Sequence, residues 1–438
     1  QNASAAFKVP AYQKFILPNG LTIYLMEQHE VPVISLSAII PAGAIYDGDK
    51  SGLASLTAAG LQYGTKSYSK TKIEEELEFI GASLNTYANK ESAGLSSKFA
   101  AKDLDKALPI LKEVLVDPVF DQEEFEKERK RVLSSLDQAK LSPRNVINAY
   151  WDKFIFGDHV YSNPVSGSPA TVEKFIIDDL KKFYKSNYGP QGSAIAIVGD
   201  FNSQEMKTRL RNLFGSWKKS ASVQKALAAQ PVKSIQTSRV LLVNKEDARE
   251  TTFYIGGIGI RRDNPDFIAI DVVNTVFGGR FTSWLNDELR VNSGLTYGAR
   301  SGFSPLKNSG TFSISTFTAT KTTQATLDKA LQVLDSLHKK GIDEKTLTSA
   351  KNYVKGQFPP KYETASQLSG LLTQMFWYGF DESYINNFQA NVNGLTVAKS
   401  REIINKYFPK DNLQFVLIGK AEDIKSIAAK YGTVTEKQ

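Results

Sequence analysis

Two stretches of the chain repeat one pattern: residues 183–215 read FYKSNYGPQGSAIAIVGDFNSQEMKTRLRNLFG, and residues 403–432 read IINKYFPKDNLQFVLIGKAEDIKSIAAKYG. Each stretch is typical of a helix, a turn, a buried strand that ends in glycine, and a second helix. The two glycines, Gly199 and Gly419, are 419 − 199 = 220 residues apart, close to half of the 438-residue chain. This spacing predicts that the chain consists of two similar halves.

The beginnings of the two halves also match. Each contains two runs typical of β-strands, followed by an apolar helix. These are residues 21–27, 33–40 and 51–63 in the first half, and residues 239–243, 251–257 and 267–277 in the second. Because strands and helices come in separate groups instead of alternating, we predict the α+β class, with two homologous domains that each have a mostly antiparallel sheet packed against several helices.

A polar segment separates the halves. Residues 216–238 contain few aromatic residues and are interrupted by Pro231, which is typical of a linker. We therefore predict one domain over residues 1–218, a linker over 219–236 and a second domain over 237–438. Further elements predicted within the domains are strands at residues 91–100 and 310–318, helices at 101–115, 122–141, 171–188 and 322–340, and Asp343 as the cap of a following helix.

The composition is that of an ordinary globular protein, with 41% hydrophobic and 23% charged residues. Cysteine is absent, which excludes disulfides, thiolate metal ligands and a cysteine nucleophile. The net charge of +8 comes from lysines and arginines interleaved with acids, as in EEFEKERKR at residues 123–131, so we predict no nucleic-acid binding. No apolar run reaches the roughly 20 residues of a membrane helix.

The first residues, QNASAAFKVP, lack an initiator methionine. This start favours a mature chain after removal of a signal peptide, and therefore a periplasmic or cell-envelope location. A cytoplasmic protein without cysteines would have the same composition, so that location stays open.

Three motifs in this two-domain frame resemble the pitrilysin/insulinase family of zinc peptidases. They are SGLASLTAAGLQYGT at residues 51–65, FGDHVYSNPVSGSPATV at 156–172 and LRVNSGLTY at 289–297. The resemblance covers nearly the whole chain. It implies an α+β fold with a duplicated domain and a zinc-dependent peptidase ancestry.

In active members of that family the first motif reads GLAHxxEH on a helix, where two histidines bind Zn²⁺ and the glutamate is the general base. The matching positions here are Ser55, Ala58 and Ala59, none of which can do either task. The family's third ligand, a glutamate about 75 residues farther on, falls at Ser134 or Ser135. The resemblance thus implies that this chain has no zinc site of its own.

Other histidines offer no replacement, because the chain has only three and no two lie within one helical turn. We predict that His29 is a surface residue and that His159 is a turn or packing residue. His338, near the end of a helix, is predicted to add a positive charge that interacts favourably with the helix dipole.

The third motif retains Arg290 and Tyr297, which match an Arg and a Tyr that the family places opposite the zinc, across the substrate. In that role they would stabilise negative charge on the scissile carbonyl oxygen. Gly294 permits a turn after the helix that carries Arg290, and Tyr297 would start the next strand, so both side chains could face one cleft. The structural alternative is a helix-end salt bridge for Arg290 and ordinary strand packing for Tyr297.

The resemblance therefore implies the non-metal subunit of a two-subunit bacterial peptidase, inactive alone. A zinc-bearing paralogous partner would supply the HxxEH motif, and the substrates would be short or unfolded peptides; a homodimer is the alternative assembly. A second hypothesis is a purely structural or binding subunit, like the silent core proteins of this family in respiratory complexes. A third is an independent enzyme with a cryptic metal site, which the poor inventory of ligands disfavours.

Overall fold

The computed structural model describes residues 6–220 and 230–438, which form two six-stranded sheets, one in each half of the chain. Helices pack against both sheets, so the predicted α+β class with two similar domains is confirmed. Residues 221–229 of the predicted linker lie outside the described residues. The domain boundaries at 218 and 237 stay predictions.

The first half contains six strands and eight helices among the described residues. The strands are β1 (Gln13–Ile16), β2 (Thr22–Glu27), β3 (Val33–Ile40), β4 (Ser83–Ala88), β5 (Ala93–Ala100) and β6 (Ala194–Gly199). The helices are α1 (Leu53–Gly60), α2 (Lys70–Phe79), α3 (Leu104–Val116), α4 (Gln122–Ala139), α5 (Pro143–Phe156), α6 (Pro169–Val172), α7 (Ile177–Asn187) and α8 (Ser203–Phe214).

The single helix predicted at residues 171–188 is divided into α6 and α7. Ile176, between them, has an extended backbone, with φ −118° and ψ 161°. Its N–H donates to the Asp179 carboxylate at 3.0 Å, which caps the start of α7. A capping side chain in the middle of an apolar periodicity therefore ends one helix and begins another.

The second half repeats the arrangement with six strands and nine helices among the described residues. The strands are β7 (Arg239–Asn244), β8 (Glu250–Ile258), β9 (Arg300–Pro305), β10 (Gly310–Ala319), β11 (Gln414–Gly419) and β12 (Thr433–Lys437). The helices are α9 (Phe267–Asn274), α10 (Trp284–Asn286), α11 (Thr323–Lys340), α12 (Glu344–Gln357), α13 (Ala365–Tyr378), α14 (Glu382–Asn386), α15 (Phe388–Asn393), α16 (Val397–Tyr407) and α17 (Ala421–Ala428).

Five strands follow the same order in the two sheets, whereas the sixth strand, at one edge, is the N-terminal β1 in the first sheet and the C-terminal β12 in the second. Their strand orders are β1-β2-β6-β3-β5-β4 and β12-β7-β11-β8-β10-β9. Four of the five neighbouring pairs in the first sheet are antiparallel, and three of the five in the second. The buried strands predicted within the two repeat units are β6 and β11, which are buried along their whole length. The duplication read from Gly199 and Gly419 is therefore a duplication of the sheet.

Gly199 shows why the repeated strand ends in glycine in the first half. Its backbone has φ +150°, and a Cβ there would lie 2.2 Å from the Val33 carbonyl oxygen. Asp200 N–H then donates to that same oxygen at 3.0 Å. A side chain at this position would push β3 and β6 apart, so only glycine fits.

One helix from each half packs on the sheet of the other half. Helix α13 of the second half packs on β3 and β6 of the first sheet. The Ser366 hydroxyl of α13 is 2.8 Å from the Ser35 hydroxyl, and the Ser369 hydroxyl is 2.8 Å from the Ser37 hydroxyl. In return, α5 of the first half packs on β8 and β11. The two halves are thus interlocked through exchanged helices.

A buried carboxylate joins the halves a second time. Glu91, in the β4–β5 turn, is only 4% exposed. It accepts a hydrogen bond from the Tyr161 hydroxyl at 2.6 Å and one from the Lys307 backbone N–H at 3.1 Å. Lys307 belongs to the β9–β10 turn of the other half, and its ammonium lies 4.4 Å from the centre of the Trp377 ring. Glu91 therefore satisfies donors from both domains at one point.

Substituting Glu91 by alanine tests this contact. The change leaves a buried hydroxyl and a buried N–H without an acceptor, so we expect a loss of about 2–3 kcal/mol in the free energy of unfolding, measured by urea denaturation. Glu363→Ala is the matched control, because Glu363 is exposed and its carboxylate has no partner among the described residues. An effect of Glu91→Ala no larger than that of the control would show that the contact does not stabilise the interface.

No helix in residues 6–220 or 230–438 combines the length and the apolar character needed to cross a membrane.

Candidate active-site cleft and the zinc-motif helix

Helix α1 carries the degenerate zinc motif, as the sequence predicts. Ser55 and Ala59, four residues apart, are half-buried on one side of the helix, whereas Ala58 is fully buried. The helical spacing required for two metal ligands is therefore intact, but the ligands are not. Serine is a weak ligand for Zn²⁺ and alanine provides no ligand atom.

The third expected ligand is missing as well. Ser134 and Ser135 are exposed on α4, and the nearby acids of that helix pair with arginines instead. Glu128 pairs with Arg131, and Glu126 is 2.7 Å from Arg129. Among the described residues, no group of three His, Cys, Asp or Glu side chains could hold a metal ion. The residues present do not fit zinc.

We expect the purified chain to contain well under one equivalent of zinc when analysed by mass spectrometry after dialysis. The double variant Ser55→His/Ala59→His is the positive control, because two imidazoles at i and i+4 on one helix face form a weak zinc site. One tightly bound equivalent in the unmodified chain would contradict this reading of the motif.

The start of α1 is fixed by a buried carboxylate that the sequence did not single out. Asp47 accepts hydrogen bonds from the backbone N–H groups of Gly52 at 3.0 Å and Ala54 at 2.8 Å. Gly52 has φ +97°, so the chain enters the helix through a left-handed residue. Burial, only partly offset by the two donors, raises the pKa of Asp47 to about 7.

This raised pKa gives a signed pH dependence. An unfolded aspartate ionises near pH ~3.9, so between pH ~4 and 7 the folded state binds more protons than the unfolded state. We expect the contribution of Asp47 to stability to decrease as pH rises through that window, and Asp47→Asn to remove this part of the slope. The measurement is urea unfolding at several pH values, with exposed Asp49→Asn as control. Parallel pH profiles for Asp47→Asn and the unmodified chain would refute the assignment.

The second half forms an open cleft of about 940 Å³ between its sheet and helix α5. Both Arg290 and Tyr297 line it, as the sequence predicts. Arg290 lies in the π-helical segment Asp287–Asn292, which continues α10, and its guanidinium is 4.9 Å from the centre of the Phe281 ring. Tyr297 is 82% exposed, and its ring centre lies 6.1 Å from that of Phe317.

The turn between the two residues depends on Gly294. This residue has φ +62°, and its N–H donates to the Arg290 carbonyl oxygen at 3.0 Å. The next N–H, of Leu295, donates to the Leu289 carbonyl oxygen at 2.9 Å. These bonds end the helix and return the chain toward the cleft. The predicted role of Gly294 is confirmed, but β9 begins at Arg300, so the prediction that Tyr297 starts the strand is wrong.

The helix-end salt bridge of the structural alternative is absent for Arg290 among the described residues. Among the described residues, no carboxylate lies within 4.0 Å of the Arg290 guanidinium, and no hydrogen bond engages its side chain or the Tyr297 hydroxyl. Arg290 is exposed at the cleft, and Tyr297 is largely exposed, with the Phe317 ring as its aromatic neighbour. Within the described residues, the Arg290 guanidinium and the Tyr297 hydroxyl therefore both lack a hydrogen-bond partner at the cleft.

The three histidines do not form a site. His29 is exposed and lies 2.6 Å from Asp200 and 2.9 Å from Glu27. His159 is buried in a turn, where its Nδ1 accepts from the Tyr161 N–H and its Nε2 lies 2.8 Å from the Gln230 carbonyl oxygen. Both match the predictions. Burial lowers the pKa of His338, which disfavours the positive charge that we predicted for this helix end.

Sequence reasoning missed three further arginines that line the cleft: Arg144, Arg280 and Arg300. Arg144 comes from α5 of the first half, and its guanidinium lies 3.5 Å from the centre of the Phe317 ring. No sequence motif contains these three arginines. Arg144 joins the other two only because α5 packs on the second sheet.

Comparison with known proteins agrees with the fold and the duplication. Residues 22–168 match the model "Insulinase (Peptidase family M16)", and residues 174–354 match "Peptidase M16 inactive domain". The chain belongs to peptidase family M16. This confirms the predicted resemblance to insulinase-like peptidases.

Two relatives of this M16 chain carry contrasting names. A "Non-peptidase homolog YmxG" of Helicobacter pylori is 23% identical over 421 residues, which cover 93% of this chain and 96% of the relative. An "Uncharacterized zinc protease YmxG" of Bacillus subtilis is 22% identical over 355 residues, 81% of this chain and 85% of the relative. The crystal structure of a peptidase M16 inactive domain from Pseudomonas fluorescens superposes with a TM-score of 0.86 at 25% identity, over 94% of this chain and 98% of that one.

Proposed function

We propose that this M16 homologue is the catalytically incomplete subunit of a zinc peptidase, which supplies Arg290 and Tyr297 to a partner that carries HxxEH. One observation carries the proposal: the zinc-motif helix has no ligands, while both polar side chains of the pair line one open cleft without protein partners. The name of the Helicobacter relative supports the absence of autonomous activity.

The chemistry of the pair suits peptide hydrolysis. When a nucleophile adds to the scissile carbon, negative charge develops on the carbonyl oxygen, and fixed donors aimed at that oxygen stabilise the transition state. Tyr297 offers a neutral O–H donor, and Arg290 offers N–H donors that stay charged at all physiological pH values. A zinc-bearing partner would supply the activated water and the general base.

The edge of the first sheet suits an extended peptide. Strand β4 pairs only with β5 and lies beside α1, the helix that carries the degenerate motif. A short or unfolded peptide could add to this edge through backbone hydrogen bonds. A partner that closes over the cleft would exclude folded proteins. We keep the periplasm or cell envelope as the proposed location of the pair, with the cytoplasm as the alternative.

The test is reconstitution with a zinc-bearing paralogue, preferably one encoded beside this chain, on a quenched fluorescent peptide. We expect Arg290→Ala and Tyr297→Phe each to lower turnover of the mixture by about 10²-fold or more, the usual effect of removing an oxyanion donor. The effect should fall on kcat, because the donors act on charge that is present only in the transition state.

Two substitutions outside the cleft serve as controls. Arg209→Ala removes a partly exposed arginine that pairs with Asp105, and Tyr68→Phe removes a hydroxyl in the turn before α2. Both should leave turnover unchanged. If the mixture is active and the Arg290 and Tyr297 variants retain full turnover, the pair has no catalytic role. The alternative, a purely structural or binding subunit, would then account for the chain.

A further inference from the structure

The cleft contains far more positive charge than an oxyanion site needs. Four arginines line it, Arg144, Arg280, Arg290 and Arg300, against a single acid, Glu250. Only Arg144 approaches that acid, at 3.9 Å. The other three have no carboxylate within 4.0 Å in the described parts of the chain. The charge of this cleft is therefore not neutralised from within the protein.

Arg280 shows this most clearly. It is partly buried, and its Nε has no hydrogen-bond partner among the described residues. One terminal nitrogen donates to the Ser349 hydroxyl at 3.1 Å, and the guanidinium lies 5.9 Å from the centre of the Tyr353 ring. A guanidinium N–H without an acceptor is unfavourable, and the second terminal nitrogen also has no hydrogen-bond partner among the described residues, so this cleft-lining side chain has donors left for an anion. Its flat fork of donors matches a carboxylate.

Arg300 supplies a second free guanidinium at the first residue of strand β9. It is exposed, and it is paired across the sheet with Ser315, which lines the same cleft. Exposed aromatic rings lie beside these charges, since Phe281 is 66% and Tyr297 82% exposed. Aromatic surface next to unpaired arginines fits a peptide with both apolar and acidic groups.

We propose that the cleft selects peptides that carry a carboxylate, which Arg280 and Arg300 bind, while Arg290 remains free for the scissile carbonyl. This inference rests on the proposed function in taking the occupant of the cleft to be a peptide. It adds a specificity that the Arg290 and Tyr297 pair does not provide, because a backbone carbonyl is the same in every peptide. The carboxylate belongs either to an acidic side chain or to the C-terminus of the peptide.

Binding to the full-length chain alone tests this selectivity without any partner. Fluorescence anisotropy compares labelled ten-residue peptides that differ only in having two central glutamates or two glutamines, each with a free and an amidated C-terminus. We expect carboxylate-bearing peptides to bind at least tenfold more tightly, with an affinity that falls as salt is raised from 50 to 500 mM. Tight binding of the amidated glutamate peptide would show that the cleft binds the carboxylate of an acidic side chain. Tight binding of the glutamine peptide with a free C-terminus would show that the cleft binds the C-terminal carboxylate.

Arg280→Gln and Arg300→Gln should each weaken the binding of the favoured peptide about tenfold and leave the amidated glutamine peptide unaffected. Arg209→Gln is the control, because Arg209 is a partly exposed arginine that does not line the cleft. Arg300 is exposed, so its variant stays informative even if Arg280→Gln impairs folding. Equal affinity for all four peptides, equal loss for every peptide in both variants, or displacement of the peptide by a single-stranded oligonucleotide at lower concentration would overturn the proposal.

The same reconstituted peptidase distinguishes a failure of this carboxylate preference from a failure of the proposed catalytic function. In the reconstituted peptidase, Arg290→Ala should lower kcat for glutamate and glutamine substrates alike, whereas Arg300→Gln should raise KM for the carboxylate-bearing substrate only. A mixture without activity would refute the catalytic role and leave the binding preference standing. Full activity with no preference would refute the preference alone.

Discussion

The exchange of helices between the two halves is the constraint on which the rest of the structure depends. The apolar face of a sheet has to be covered by another layer of structure. Here α13 of the second half covers the first sheet, and α5 of the first half covers the second sheet. Trp151 of α5 contacts Tyr254 of β8, with ring centres 5.7 Å apart. Because α5 also presents Arg144 to the cleft, the same packing that stabilises the fold forms one wall of the candidate site.

The two halves share the order of five strands but differ in the side chains that they present. In the first half, α1 keeps the geometry of a metal-binding helix, held by Asp47 at its start, but Ser55 and Ala59 stand where ligands would be. In the second half, the Arg290 guanidinium and the Tyr297 hydroxyl line the cleft and have no hydrogen-bond partner among the described residues. This asymmetry is the physical reason for treating the chain as one part of a shared active site.

Much of this fold could be predicted from the sequence, because the repeated strands β6 and β11 are apolar runs buried on both faces. The edge strand β4 was missed, since SLNTYA alternates exposed and half-buried residues and lacks an apolar run. The contribution of Arg144 could not be foreseen, because it depends on a long-range packing choice by α5. Arg290 and Tyr297 were found through the motif that contains them, whereas Arg280 and Arg300 belong to no motif.

The most direct test of the central claim is a titration of this chain against a fixed concentration of a zinc-bearing paralogue, with hydrolysis of an unfolded peptide as the signal. The account predicts no hydrolysis by this chain alone, and a rate that rises to a plateau at one equivalent. Hydrolysis by the isolated chain, or a rate that does not respond to its addition, would contradict the account.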